Sequence, residues 1–367
     1  MKVCVITLHA TRNYGSALQT LATQYTFQKV GCEVFFVNFI RKDSLDSNLT
    51  NTMTEKDHGA VRVIKKIILK PTVMRWKTVF DGFMKKYIKL TSQVYSSDED
   101  FKKYGVPKAD IYCTGSDQVW NSGWNKGILR PFYLSFAPDS KKKIAYSASF
   151  GKPELSDWEI PETKQLLSRY DAISVREDSA VDILENQLGI HSAEHVLDPT
   201  MAVPRKFWIK KILKRRIKEK YVLVYQLNSN PEFERYQVEF AKKHGLKLVR
   251  FCCRYDQLSK PGKHILIPDV LEFPSMIYHS EYVLTDSFHA TAFSINLNKK
   301  FVSVYPEQYG GRIKSLLELT GLQSRHLTGY DDFYLNDKGI DFAPVNMIID
   351  EQRCITENYI KRAIGLK

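Results

Sequence analysis

The stretch TDSFHATAFS, residues 285–294, places Asp286, Ser287 and His289 where an apolar run gives way to a helical one. Asp or Ser at such a junction caps a helix. The same junction also offers an anion the free N–H groups of a helix start, and an imidazole there can give or take a proton near neutrality. A lone histidine serves structure as readily as catalysis, so both readings stand. Three other loops carry similar chemistry. In TRNYGSALQ (11–19), Asn13, Tyr14, Gly15 and Gln19 surround a turn into a helix, with Gly15 allowing close backbone approach to an anion or simply closing a tight turn. It lacks the GxGxxG spacing of a dinucleotide site. In TGSDQVWN (114–121), Ser116, Asp117, Gln118 and Asn121 have the types that hold sugar hydroxyls, and Trp120 with Trp124 has the shape of a stacking platform; capping and core packing are the competing readings. In SVREDSA (174–180), the helix dipole accounts for Glu177 and Asp178. Arg176 either pairs with those acids or faces a ligand.

All four loops follow candidate strands, and short apolar runs alternate with amphipathic ones along the chain. That alternation is the signature of parallel sheets covered by helices. Strands are expected at 2–8, 32–39, 109–115, 143–150, 172–177 and 195–199, then again at 221–227, 246–251, 264–268, 281–287 and 300–306, with helices at 15–30 and 231–244. The stretch 41–58 reads as a mobile polar loop. Two successive α/β patterns predict a first Rossmann-like domain over 1–205 on the acceptor side, a second over 206–345 on the donor side, and a C-terminal helix over 346–367 packing back on the first. Such folds take ligands at the carboxyl ends of their strands.

The 367 residues are 43% hydrophobic and 26% charged, the balance of a globular protein. No apolar run approaches the roughly 20 residues that cross a bilayer, and the opening MKVCVITLHATRN reads as neither signal peptide nor anchor. Six scattered cysteines without a CxxC pair fit reduced thiols in a cytoplasm and argue against structural zinc. The formal charge of +13 is concentrated in two stretches, 62–90 and 205–220, which read as basic helices with interleaved aromatic and aliphatic residues. They suit a solvated face, an anionic membrane surface or an anionic substrate; no signature of nucleic-acid recognition accompanies them.

NYGSALQ, GSDQVWN, ASFG, VRED, LDPTM, TDSFHATAFS and YGGRIKSLLELTGL, in that order across residues 3–325, resemble the polysaccharide pyruvyl transferase family. The resemblance implies two facing Rossmann-like domains of glycosyltransferase-B type. It also implies transfer of the pyruvyl group of phosphoenolpyruvate to a sugar, usually as a ketal bridging two hydroxyls, with release of phosphate. Carried over by position, the family's late histidine falls on His289 and its mid-chain arginine on Arg176. Many members have arginine two places before the histidine, where this chain has Ser287, which leaves Arg176, Arg312 or backbone N–H groups, beside Asp286, to hold the donor's two anionic groups. On this reading His289 is the general acid and Asp117 holds or deprotonates the acceptor, with Asn13, Tyr14, Gly15, Gln19, Ser116, Gln118, Trp120 and Asn121 on the acceptor side. No metal or cofactor is expected beyond phosphoenolpyruvate as donor. The partner is a glycan or lipid-linked oligosaccharide of surface polysaccharide assembly, met in the cytoplasm or at the inner membrane face. The alternatives are a nucleotide-sugar-dependent glycosyltransferase and a noncatalytic glycan-binding protein on the same scaffold.

Overall fold

The computed structural model of the chain describes residues 1–366 except 56, 308–309 and 336–338. It contains two wholly parallel sheets. The first has β1 (Lys2–Ile6), β2 (Glu33–Phe39), β3 (Leu90–Tyr95), β4 (Ile111–Thr114), β5 (Lys142–Ala148), β6 (Ala172–Val175) and β7 (Glu194–His195), in spatial order β3-β2-β1-β4-β5-β6-β7. The second has β8 (Tyr221–Tyr225), β9 (Lys247–Cys252), β10 (Lys263–Leu266), β11 (Tyr282–Thr285) and β12 (Lys300–Ser303), in order β10-β9-β8-β11-β12. Both are doubly wound, and the order reverses between β1 and β4 in one and between β8 and β11 in the other. Ligands of such sheets bind outside the carboxyl ends of the strands at this reversal.

Strands covered on both faces need continuous apolar runs. Val3–Ile6 of β1 and all five residues of β8 are buried. Cys4 and Cys113 lie inside the first sheet, where burial pushes both thiols far above their usual range. β3 lies outside the expected strands. Its sequence LTSQVY has too little apolar alternation to announce a strand, and as an edge it is only partly covered.

The chain forms two compact units, each discontinuous in sequence: residues Met1–Leu45, Met84–Val203 and Ile349–Lys367, and residues Asp46–Phe83 and Pro204–Ile348. The segment 46–83 joins the second unit because the helix Gly59–Trp76 is tied to that sheet's loops. Trp76 Nε1 donates to the Cys253 carbonyl at 2.8 Å, Arg75 Nε donates to that of Ile267 at 3.0 Å, and Thr72 Oγ1 accepts from Tyr255 N at 3.2 Å. Part of the expected loop at 41–58 is helical, over Asp46–Met53. Of the basic stretch 205–220, only Arg205–Ile209 is helix, and Trp208 is fully buried against Phe293. The last helix, Phe342–Ile364, ends on the first sheet, where Tyr359 Oη donates to the Ala145 carbonyl at 2.6 Å.

Candidate functional site

In the first unit, the loops after β1 and β4 meet at the strand-order reversal. Asn13 caps the helix Tyr14–Lys29, its Oδ1 accepting from Gly15 N at 2.8 Å and Ser16 N at 3.3 Å, so the two N–H groups offered to an anion in this loop are already engaged. Gln19 Nε2 donates to Thr7 Oγ1 at 2.9 Å, and that hydroxyl donates to the Ser116 carbonyl at 2.6 Å. Tyr14 is buried under the turn. A Cβ on Gly115 would stand 3.0 Å from Val5 Cγ1 and 3.1 Å from Thr7 Cβ, which is why this loop needs glycine against β1.

Next to this seam lies a buried ionic cluster. The Arg176 side chain has 0% exposure; its Nη1 meets Asp198 Oδ2 at 2.8 Å, its Nη2 meets Asp117 Oδ1 at 3.1 Å, and its Nε lies 3.6 Å from Glu177 Oε2. Burial alone would lower the guanidinium pKa, but Asp117, Asp198 and Glu177 together hold it above its ordinary value. Each acid is held in turn. Asp117 accepts from the Ser16 hydroxyl and from Gln118 N, Asp198 from Thr200 and Ser116, and Glu177 from Ser149 Oγ and Gly151 N. Glu177 makes no cap bond from its side chain, so its carboxylate is explained by Arg176 and Ser149 rather than by the helix dipole. Asp178 contacts His195 Nδ1 at 3.0 Å. Asp117 has φ 81° and Ser147 φ 54°, left-handed backbone in two non-glycine residues, the first a member of the cluster. Such strain persists where surrounding contacts over-determine it.

The proposed stacking pair divides. Trp120 is 1% exposed, packs on Tyr133 and Phe150, and donates from Nε1 to the Phe132 carbonyl at 3.1 Å, so its faces belong to the core. Trp124 is 49% exposed, with the Arg41 guanidinium 5.5 Å from its ring. Asn121 caps the turn carrying Trp124, and its Nδ2 donates to Gln118 Oε1 at 2.6 Å. Beside Trp124, at the carboxyl ends of β2 and β3, is a cavity of ≈ 380 Å³ lined by Arg41, Ser96, Asp98, Asn125 and Lys126, among others. Arg41 and Asn125 are held together there at 3.0 Å. Neither had a motif to mark it; the signal available was Arg41 directly after an apolar strand.

In the second unit, the end of β11 carries the opening motif. Asp286 receives Leu227 N at 2.7 Å, Asn228 N at 2.8 Å and Asn228 Nδ2 at 2.9 Å, tying the loop after β8 to the loop after β11. Burial raises its pKa, and these three bonds oppose the rise. Ser287 is the N-cap of the helix Phe288–Asn296, its Oγ accepting from Ala290 N at 3.5 Å. His289 stands in the first turn, buried, its ring against Phe288 with centroids 5.2 Å apart. The Arg312 guanidinium lies 5.7 Å from the same Phe288 ring, so an imidazole and a cation share one aromatic neighbour. Tyr309, which opens YGGRIKS, lies outside the described residues.

Solved structures similar in fold are UDP-N-acetylglucosamine 2-epimerases and their relatives. A Staphylococcus aureus MnaA–UDP structure aligns with TM-score 0.56 at 13% identity, covering 100% of this chain and 97% of that one. The Methanocaldococcus jannaschii enzyme in complex with UDP-GlcNAc and UDP aligns with TM-score 0.54 at 11% identity, covering 100% and 99%. The Rickettsia bellii enzyme aligns with TM-score 0.52 at 12% identity, covering 100% of both chains. At these identities the likeness shows the fold: two Rossmann-like α/β units of the glycosyltransferase-B type. No curated protein matches the sequence. The family model for polysaccharide pyruvyl transferase matches residues 13–308, well over half of the chain, and the chain belongs to that family of transferases.

Proposed function

We propose that the protein transfers the pyruvyl group of phosphoenolpyruvate to two hydroxyls of a sugar, with release of inorganic phosphate, during assembly of a surface polysaccharide. The observation that carries this reading is the Phe288-centred cluster at the end of β11. It brings a histidine at a helix start and an arginine to one and the same ring, at the position where a doubly wound sheet takes its ligand. Phosphoenolpyruvate carries a carboxylate and a phosphate close together, and arginine's planar fork suits either. With Ser287 committed to capping and Arg176 enclosed by carboxylates, Arg312 and the helix-start N–H groups take the donor's charge. His289 gives a proton to the donor's methylene carbon as the first sugar hydroxyl adds to the adjacent carbon and releases its own proton. Phosphate then leaves, carrying the C–O bonding pair, and the second hydroxyl adds and loses its proton to close the ketal.

Asp117 holds the acceptor side in shape rather than taking a proton, since both its oxygens are engaged by Arg176, Ser16 and Gln118. The acceptor is a lipid-linked glycan at the inner face of the cell membrane. The test is phosphate release from phosphoenolpyruvate with a panel of glycosides, read together with the mass gain of a pyruvyl ketal. His289→Asn is expected to cost at least about 100-fold in turnover with an unchanged thermal midpoint; near-normal turnover removes His289 from the chemistry. The structural relatives above include complexes with UDP or UDP-GlcNAc, so a parallel thermal-shift arm uses UDP-sugars. Stabilisation by those ligands, with none by phosphoenolpyruvate, replaces this reading with glycosyl transfer.

A further inference from the structure

The helix Gly59–Trp76 turns its apolar side outward. Val61, Val63, Ile64, Ile67, Ile68 and Met74 are each 53% to 67% exposed, while Leu69, Thr72, Val73 and Trp76 are covered to different degrees. At 3.6 residues per turn the exposed six fall on one half of the helix and the covered residues on the other. Lys65 and Lys70 border the exposed half on its two sides, and residues 59–80 hold six Lys and Arg with no Asp or Glu. Lys65 reaches Asp57 and Arg75 lies 3.4 Å from Asp269, both acids lying outside the helix. Hydrogen bonds that Thr72, Arg75 and Trp76 make with the loops of the second sheet hold its carboxyl-terminal turns with this face outward.

We infer that this face is a membrane-docking surface that lies flat in the headgroup layer of an anionic phospholipid bilayer. An exposed aliphatic stripe calls for a hydrocarbon partner, and a border in which cations outnumber acids calls for an anionic one; an anionic bilayer supplies both. A second copy of the chain fits poorly, since apposing two such faces brings together the excess of cations of both copies. The helix is not a transmembrane span: among the described residues no helix is long and apolar enough to cross a membrane. The inference deepens the lipid-linked acceptor reading by naming the surface that meets the lipid. It assigns the contact to 59–76 and not to the stretch 205–220, where Trp208 is core.

The test is co-sedimentation of the full chain with vesicles of phosphatidylcholine, with and without phosphatidylglycerol, at low and high salt. Binding is expected with the anionic vesicles, weakening as salt rises. Ile64→Asn/Ile67→Asn/Ile68→Asn is expected to weaken it at least about tenfold, since interfacial binding scales with buried apolar area. Lys65→Gln/Lys70→Gln is expected to weaken it by roughly tenfold and flatten its salt dependence. Both variants should keep the wild-type thermal midpoint and phosphate release on a soluble glycoside. Indifference to phosphatidylglycerol, or undiminished binding by the isoleucine variant, overturns the inference. So does light scattering that shows a dimer which this variant dissolves, because the face is then an interface between copies. Vesicle binding is read without phosphoenolpyruvate, so failure of the donor reading and failure of this surface are separate results.

Discussion

Arg176 has three carboxylates around it and no exposed side-chain surface, and a buried guanidinium so enclosed acts first on stability. Removing one partner of a buried ion pair leaves charge uncompensated, at about 3–5 kcal/mol. Arg176→Met is therefore expected to lower the thermal midpoint by on the order of 10 °C for a unit of this size. The rival role, a direct contact with the donor, predicts a higher KM for phosphoenolpyruvate with the midpoint unchanged; scanning calorimetry beside initial rates separates the two. Gly151 offers a second test in the same cluster. Its φ is 66°, and a Cβ would stand 2.2 Å from Gln118 Oε1 and 2.8 Å from Asn121 Nδ2. Gly151→Ala should cost about 1–3 kcal/mol, read as a shift in the urea midpoint. An unchanged midpoint would mean that the 118–121 turn yields easily and does not define the site.

The elements that hold the site were legible where the chain repeats one local rule. Buried parallel strands read as unbroken apolar runs, and all strands but β3 fall within or beside such a run. β3 and the helix Asp46–Met53 were hidden because both are polar and their structure is decided by neighbours rather than by their own pattern. The stretch 205–220 misled for the opposite reason: its charges suggest a long surface helix, yet burial of Trp208 and Ile217 sets its path. Loop positions of the site residues were also legible, because each follows a strand. Their pairings were not, since Asp117 lies 59 residues from Arg176 and Asp198 lies 22. The last helix shows the same contrast within one element. Ile360 is fully buried and Ile355 is exposed, so Ile360→Ala should cost about 2–5 kcal/mol and Ile355→Ala less than about 0.5 kcal/mol, measured by urea denaturation.

At the scale of the whole molecule, both units carry a histidine that burial holds below its ordinary pKa. In the first unit it is His9, whose bonds to Asn38 and Thr7 partly oppose the effect of burial; in the second it is His326, stacked on Tyr305 at 3.5 Å and near the Ser303 carbonyl. A histidine with a lowered folded pKa binds fewer protons in the native state than in the unfolded one. Stability therefore rises with pH through the window between its folded pKa and the ordinary value, and is lost as pH falls below about 6.5. His195 runs the other way. Burial lowers it, but Asp178, the Arg176 backbone and Glu177 together outweigh that and raise the net value, so its contribution is present below the ordinary pKa and lost as pH rises through the folded one. The two lowered groups act below about pH 6.5 and the raised one above it, so the thermal midpoint is expected to climb toward about pH 6.5 and to ease beyond it. His326→Phe keeps a ring against Tyr305 while removing one titration, so it should flatten the climb without a large loss at neutral pH. Adding His9→Asn should bring the slope near zero below about pH 6.5 and leave only the His195 decline above it. A slope that neither substitution changes would place the proton uptake of unfolding elsewhere in the chain.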